Sequence, residues 1–344
     1  MKQPLLTVLM PVYNAEAYLA EAIDSILNQT FSDFDFIIID DGSTDTSKSI
    51  ILSYEDPRIR FYQNKNNVGI SATLNKGLQL ADTELVARMD ADDISYPQRL
   101  QKQYNFMIAN PDCALLSCWT RVITEDKQLL RIENFKSEYY YYNLTFICSI
   151  YHPTVMYKRS CVLNVGGYTQ RFSEDYALFW ELSRYYKIHN LDQILLDYRV
   201  TNQSLHQVRH KLDYEEAQNE QVLRSIRSYT GQNFQIRPSH LACLRHNFQP
   251  LLQENSVQSI IDCLHKLTTI NQQIFRTYTI NFDPVAIKEA AFHKHKYILD
   301  YYVKHLDKTS AIWLLLRMGS LSYFYSITAS SLKKRIKNLL NLFH

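Results

Sequence analysis

The chain reads as an α/β protein with a doubly wound, mostly parallel sheet, followed by a mainly helical region. Three observations predict this. Four strand-like runs, Leu5 to Met10, Phe34 to Ile39, Ile59 to Tyr62 and Glu84 to Met89, are largely apolar and short, as strands buried on both faces of a parallel sheet should be. Between them lie segments whose apolar residues recur at helical spacing, joined by short connections. Three of the strands stop abruptly in polar residues, at Pro11 to Asn14, Asp40 to Asp45 and Asp90 to Asp93. Open α/β sheets bind ligands at the carboxyl ends of their strands, so one ligand there can touch all three.

Taken in order, Leu5 to Met10 forms the first strand, and Asn14 is positioned to cap the helix carrying Leu19, Ala22, Ile23, Ile26 and Leu27. The second strand, Phe34 to Ile39, runs into a loop of Asp, Gly, Ser and Thr, residues that bond their own backbone and start helices, so the next helix spans about Thr46 to Tyr54. Ile59 to Tyr62 is a short third strand and Asn66 to Gly69 a turn; Ser71 to Ala81 is a third helix with Leu74, Leu78 and Ala81 facing inward. The fourth strand, from Glu84, delivers the acidic cluster Asp90-Ala91-Asp92-Asp93. Later, Leu178, Phe179, Leu182 and Tyr185 mark a helix over 176–185, and beyond residue 205 helical patterns are punctuated at Gly231, Pro238, Pro250 and Pro284.

A length of 344 residues fits roughly two domains. The expected division is a sheet domain over 1–204, in two halves that meet at about residue 100, and a helical domain over 205–344. Lys+Arg total 37 against Asp+Glu 35, which argues against a nucleic-acid partner, since such binders carry a broad basic excess. The six cysteines contain no Cys-x-x-Cys pair, so neither a zinc site nor a redox motif is indicated, and reduced thiols suit a cytoplasmic protein. Met1-Lys2-Gln3-Pro4 lacks a signal-peptide pattern, and the late apolar run Ala311 to Leu316 falls far short of the ~20 residues a membrane-spanning helix needs.

Three carboxylates within Asp90 to Asp93 repel one another and call for a counter-charge. A hard divalent cation that shares its shell with substrate phosphates would supply it; a solvated acidic turn is the plainer alternative. No Gly-x-Gly-x-x-Gly follows the first strand and no Gly-x4-Gly-Lys-Ser/Thr occurs, so a nucleotide diphosphate would rely on a metal held by Asp90 and Asp92.

These residues resemble the nucleotide-diphospho-sugar glycosyltransferases of family 2, which have the GT-A fold. The resemblance rests on Pro11-Val12-Tyr13-Asn14, Asn28-Gln29-Thr30, Asp40 to Asp45, Asn67-Val68-Gly69, Asn75-Lys76-Gly77, and Asp90 to Asp93 with Pro97 and Arg99-Leu100, in the family's order and spacing. A second block, His152 to Met156, Gly167-Tyr168, Ser173-Glu174-Asp175-Tyr176 and Asp197-Tyr198-Arg199, is similar too. In layout the chain is similar to bacterial lipooligosaccharide and capsule glycosyltransferases. The resemblance implies an inverting, metal-dependent transfer of a hexose or N-acetylhexosamine from a UDP-sugar to a hydroxyl of a lipopolysaccharide, capsule or lipid-linked glycan. It implies that Asp41 accepts a hydrogen bond from the uracil and that Pro11, Val12 and Tyr13 wall the base, with Asn14, Asn67, Arg88 and Ala91 alongside. It further implies that Asp92 ligates Mn²⁺ or Mg²⁺, that Asp90 holds the ribose or the metal's waters, and that Asp175, with Glu174 beside it, is the catalytic base. His152 and Arg199 are candidates for the acceptor side.

Each of these has a plainer reading. Glu174 and Asp175 can simply favour a helix N-terminus. Asp40 is expected to bond its loop, and Asn67 and Asn75 to be a turn former and a helix-surface residue. His152 can be a satisfied core histidine, Arg88 and Arg199 can be in salt bridges, and His293-Lys294-His295 is read as solvated. Over 331–344, Leu332, Ile336, Leu339, Leu340 and Phe343 share a face opposite Lys333, Lys334, Arg335 and Lys337; such a tail can lie on the cytoplasmic face of the inner membrane or pack on the protein. A catalytically idle binder of nucleotide-sugar or glycan in an assembly complex is the alternative to an enzyme, disfavoured by the joint presence of Asp41, Asp90, Asp92 and Asp175.

Overall fold

The structure, a computed structural model, describes residues 4–201 and 211–318. The amphipathic tail expected over 331–344 lies outside the described residues. The first elements alternate as the apolar runs require: β1 (Leu6–Val12), α1 (Leu19–Leu27), β2 (Phe34–Asp40), α2 (Ser47–Leu52), β3 (Ile59–Gln63), α3 (Ile70–Leu80) and β4 (Leu85–Arg88). A two-residue β5 (Ile94–Ser95) follows the acidic cluster, then α4 (Arg99–Ala109), β6 (Cys113–Ile123), β7 (Leu129–Glu133), α5 (Tyr140–Asn143), β8 (Met156–Lys158), α6 (Arg159–Asn164), α7 (Glu174–Tyr185) and β9 (Lys187–Arg199). The remainder is helical: α8 (Lys211–Thr230), α9 (Pro238–Leu244), α10 (Gln249–Gln253), α11 (Val257–Arg276), α12 (Pro284–His305) and α13 (Lys308–Arg317).

The strands form one mixed sheet in the order β3-β2-β1-β4-β8-β6-β9-β5, with β7 on β6. The first four are parallel, and β1 and β2 are buried at nearly every position because helices cover both faces. β8 enters antiparallel between β4 and β6, and β5 pairs antiparallel with β9 through Ile94↔Asp197 and Ser95↔Leu196. Register sets the rim: Val12 lies opposite Asp40 and Leu9 opposite Arg88, so the ends of β1, β2 and β4 present their following loops side by side.

Those loops are bolted together. Asn14 does not cap α1, whose first turn follows Tyr18; it sits in the left-handed region at φ 49°, which Asn tolerates, and its Oδ1 accepts from Thr44 N at 2.8 Å. Its side chain therefore ties the β1 end to the loop after β2. Gln29, buried just after α1, reaches Ser95 Oγ and Tyr96 O through Nε2 and accepts from Leu100 N at 3.0 Å. Thr30 N donates to Pro97 O at 2.8 Å, so the segment following the acidic cluster is pinned to α1.

The chain divides into one compact unit of Met1–Ser225 and Tyr278–Ile287 and a second of Ile226–Thr277 and Lys288–His344. The first unit runs past the boundary expected at residue 204 because α8 packs back on it, with Tyr214 5.2 Å from Phe172 ring to ring. In the second unit Leu244, Leu264, Leu267, Ile270 and Leu314 are fully buried. The sequence punctuation falls at helix boundaries, with Pro238 and Pro284 as first residues of α9 and α12 and Gly231 at φ 93° just past α8. Lys294 is not solvated as expected. It lies on one face of α12 with Ile287, Ala291 and Ile298, is buried, and donates to Leu244 O at 2.7 Å; burial pushes its amine down to about 7. No helix among the described residues is long and apolar enough to cross a membrane.

Gly42 shows how tightly the rim is built. It has φ 75°, and a Cβ there would sit 2.7 Å from the backbone carbon of Asn66 and 2.9 Å from Asn67 N, atoms that cannot swing aside. Gly42→Ala is therefore expected to lower unfolding free energy by about 2–3 kcal/mol, combining the left-handed cost with displaced backbone. A urea midpoint equal to wild type would contradict this packing.

Candidate active site

A cleft of about 1300 Å³ opens along the rim. It is lined by Pro11, Val12, Tyr13, Asn14, Asp41, Asn67, Arg88, Asp90, Ala91 and Asp92 from the first half of the sheet unit, and by His152, Glu174 and Asp175 from the second. Residues 60 and more apart in the chain thus share one cavity. Arg199, a candidate for the acceptor side, is not among its lining residues: it is buried beneath the acidic loop.

Asp41 stands at the end of β2. Its Oδ1 accepts from Asn64 Nδ2 at 2.8 Å and Val68 N at 3.0 Å, and Oδ2 from Gly69 N at 2.9 Å. An ionised carboxylate offers about four acceptor positions, so one remains for a donor in the cleft. Asp40 behaves as its loop position suggests, accepting from Ser43 N and Gln63 Nε2. Asn75 is more than a surface residue. Its Nδ2 donates to Tyr168 O at 2.8 Å and its Oδ1 accepts from Tyr168 N at 3.0 Å, clamping α3 to the loop ahead of α7.

The acidic loop after β4 rests on three buried arginines. Arg88, fully buried, donates from Nη2 to Asp90 Oδ1 and from Nη1 to Met89 O. Arg99 donates from Nη2 to Arg88 O at 3.0 Å and from Nη1 to Pro153 O, joining β4 to the His152-Pro153 turn. Arg199 is the strut: Nε donates to Asp92 O at 2.8 Å, Nη2 to Glu21 Oε2 at 2.6 Å and Nη1 to Glu125 O at 2.9 Å, while its backbone N donates to Asp93 Oδ1 at 2.7 Å. Its guanidinium also stacks 4.6 Å from the Tyr18 ring. Arg88 and Arg199 are thus both in ion pairs, their guanidiniums buried while the partners Asp90 and Glu21 stay partly exposed.

These cations do not balance the carboxylates. Burial first, and Asp90 second, push Asp92 up to about 7. Burial and the neighbouring Asp92 raise Asp93 well above the carboxylate range. Asp92 lines the cleft, its carboxylate accepting from its own backbone N–H. A hard divalent cation fits this donor set, because Mg²⁺-like ions need one or two carboxylates and take their other ligands from phosphates and water. Among the described residues no group of three or more acidic, His or Cys side chains is placed to hold a metal ion.

The second acidic pair opens α7. Ser173, ahead of it, is buried in the left-handed region at φ 53°, strain that places Glu174 and Asp175 at the mouth of the helix. Asp175 Oδ1 accepts from Tyr176 N at 2.7 Å. A helix N-terminus favours the ionised form, yet burial and the surrounding charge win. Burial, with Asp90 adding repulsion, pushes Asp175 up to about 6, and burial with Asp175 beside it pushes Glu174 to about 8. His152 is a buried, neutral imidazole, held well below its usual range by burial and by Arg88. Its Nε2 lies 2.9 Å from Tyr168 OH, and its Nδ1 is 3.7 Å from Glu174 Oε1, too far for a hydrogen bond. Its hydrogen bond thus ties the His152 turn to Tyr168, not to Glu174.

Sequence reasoning missed the far wall. Phe135, Tyr151, Phe172 and Tyr214 also line the cleft, from a turn, a loop, the approach to α7 and the start of α8. Isolated aromatics carry no spacing signal, so only the fold gathers them.

Residues 7–163 match the family described as Glycosyl transferase family 2. The chain is 37% identical over 220 residues to an uncharacterized glycosyltransferase of Methanocaldococcus jannaschii, across 59% of this chain and 73% of the relative. It is 32% identical over 262 residues to the O-antigen biosynthesis glycosyltransferase WbnJ of Escherichia coli, across 72% of this chain and 97% of that protein. Among solved structures, Staphylococcus aureus TarS 1-349 in complex with UDP-GlcNAc superposes with a TM-score of 0.55 at 15% identity, covering 88% of this chain and 92% of that one. The mannosyltransferase PcManGT from Pyrobaculum calidifontis, in complex with GDP-Man and Mn²⁺, superposes at 0.50 with 16% identity, covering 96% and 83%. With a GT-A-type sheet, a carboxylate-lined cleft at its carboxyl edge and relatives matched over most of their length, the chain belongs to glycosyl transferase family 2 and is a glycosyltransferase.

Proposed function

We propose that the protein transfers a hexose or N-acetylhexosamine from a UDP-sugar to a hydroxyl of a surface glycan or lipid-linked acceptor, with inversion at the anomeric carbon and dependence on a divalent cation. One observation carries the reading: a single cleft is lined by Asp41, by Asp90 and Asp92, and by Asp175. The name of the O-antigen relative supports a polysaccharide acceptor; the UDP-GlcNAc named with TarS supports a UDP-sugar, and the GDP-Man named with PcManGT supports a nucleotide-sugar donor in general.

In this reading Pro11, Val12 and Tyr13 pack against the base while the remaining acceptor position of Asp41 takes a ring N–H. Asp92 and Asp90 would hold Mn²⁺ or Mg²⁺, which when bound stabilises negative charge on the departing diphosphate. Arg88 fixes the Asp90 carboxylate, and Arg199 fixes the Asp92 backbone. Asp175 takes the proton of the acceptor hydroxyl as its oxygen bonds the anomeric carbon; the bond from that carbon to the phosphate oxygen breaks and its electron pair leaves on UDP. A positioned base contributes about 10²–10⁴ in rate. Glu174, protonated at neutral pH, spares Asp175 a second adjacent charge.

The two acidic sites should separate experimentally. Asp92→Asn is expected to weaken cation-dependent UDP binding, whereas Asp175→Asn keeps UDP binding and loses roughly 10²-fold or more in transfer; equal binding loss in both, measured by calorimetry with and without EDTA, would refute the division of roles. Because Asp175 is raised to about 6 and acts as its carboxylate, turnover should fall about tenfold per pH unit below 6 and level off above; a flat profile from pH 5 to 8 counts against it. Stability follows the opposite sense. The folded state holds protons on Asp92 and Glu174 that the unfolded chain releases above the ordinary carboxylate range, so stability declines as pH rises toward 8. Mn²⁺ with UDP should therefore raise Tm more at pH 7.5 than at 5.5, and that gain should vanish in Asp92→Asn.

A further inference from the structure

We propose that the half of the cleft walled by Phe135, Tyr151, Phe172 and Tyr214 seats the acceptor as an uncharged sugar ring, so that the sugar bearing the reacting hydroxyl carries no phosphate or carboxylate. This rests on the transfer reading and specifies its acceptor.

Room for it exists. At about 1300 Å³ the cleft exceeds the ~300–1,000 Å³ that one small ligand occupies, so donor and acceptor fit together in it. The wall is preorganised. Tyr151 OH lies between Arg131 Nη2 at 3.0 Å and Glu133 Oε1 at 3.2 Å, and its ring meets the Tyr198 ring at 4.9 Å, edge on. Phe172 and Tyr214, from different elements, form a tilted pair with centroids 5.2 Å apart. The polarised C–H bonds of a pyranose face suit the negative face of an aromatic ring, and rigid aromatics lose little entropy on contact.

Charge selects against anions. Glu125, Asp92 and Asp175 line the cleft as acids against Arg171, whose guanidinium lies 5.3 Å from the Phe172 centroid; of the other charged lining residues near them, Glu133 is paired with Arg131 at 2.6 Å, Arg88 is paired with Asp90, and burial favours the neutral form of Glu174. An anionic group on the reacting sugar would approach Asp175 just as that carboxylate must stay ionised, and like charges at short range repel. The acceptor is then the product of an earlier glycosyl transfer, not a lipid phosphate accepting its first sugar.

The test uses the full chain with whichever UDP-sugar gives the fastest acceptor-free UDP release. Probes are octyl glycosides of glucose, galactose, N-acetylglucosamine and N-acetylgalactosamine, their 6-phosphates, their 6-O-methyl ethers as uncharged controls for a blocked hydroxyl, and glycerol 3-phosphate. At least one neutral glycoside should stimulate release saturably, with its phosphate at least ~10-fold poorer than its methyl ether. Tyr214→Ala should raise KM for that glycoside by roughly 5–10-fold, the size of one aromatic contact, without changing KM for the UDP-sugar, and Tyr214→Phe should restore it. Stimulation by phosphates equal to that by neutral probes, no stimulation by any neutral glycoside while acceptor-free release persists, or an acceptor KM unmoved by Tyr214→Ala would overturn the proposal and leave the donor reading intact. Absence of UDP release from every donor would overturn the transfer reading beneath it.

Discussion

The structure depends on keeping an excess of carboxylates at the edge of a parallel sheet, where water is scarce. Asp90, Asp92, Asp93, Glu174 and Asp175 are held there over Arg88, Arg99 and Arg199, three guanidiniums buried to at least 98%. Desolvating an arginine is costly, and it persists only where its planar donors are met. Here much of the donor set goes to backbone oxygens: Met89, Arg88, Asp92, Pro153 and Glu125. The arginines therefore set the path of the acidic loop as well as its charge. Burial first, and the neighbouring carboxylates second, raise the proton affinity of Asp92, Asp93 and Glu174 despite these cations. A divalent cation held by Asp90 and Asp92 would favour their ionised form.

Much of the sequence shared with the family serves this scaffold and not the ligand. Gln29 and Thr30 fasten the segment after the acidic loop to α1. Asn75 clamps the Tyr168 backbone, and Gly167, at φ 70°, is glycine because a Cβ would sit 2.6 Å from Asn75 Oδ1. Through that clamp the third helix of the nucleotide half fixes the loop that leads to Asp175. The segment around Asp41 and the segment around Asp175 are thus mechanically joined, as the proposed transfer, with reacting atoms ~3–3.5 Å apart, would require.

The two halves of the sheet unit are built differently for a reason. Parallel strands with loops on one rim suit nucleotide binding, while β8 and β5 run antiparallel and bring distant segments back to that rim in a few residues. Aromatic side chains from those returning segments and from α8 shape the far wall.

By itself the sequence determined the alternating strands and helices of the first hundred residues, the carboxylate-terminated rim and the family, because buried strands must be apolar and ligand loops polar. It also pointed to Asp41, Asp92, Glu174 and Asp175 as residues of one site, through their place in recurrent motifs. Only the tertiary structure decided what each contacts. Arg199 proved to be a strut under Asp92, His152 a neutral support bonded to Tyr168, Asn14 a bridge to Thr44, and Lys294 a buried amine on an apolar helix face. Residue type states what a side chain can bond; packing across 16 to 178 positions of chain decides what lies within reach, and no local pattern encodes that.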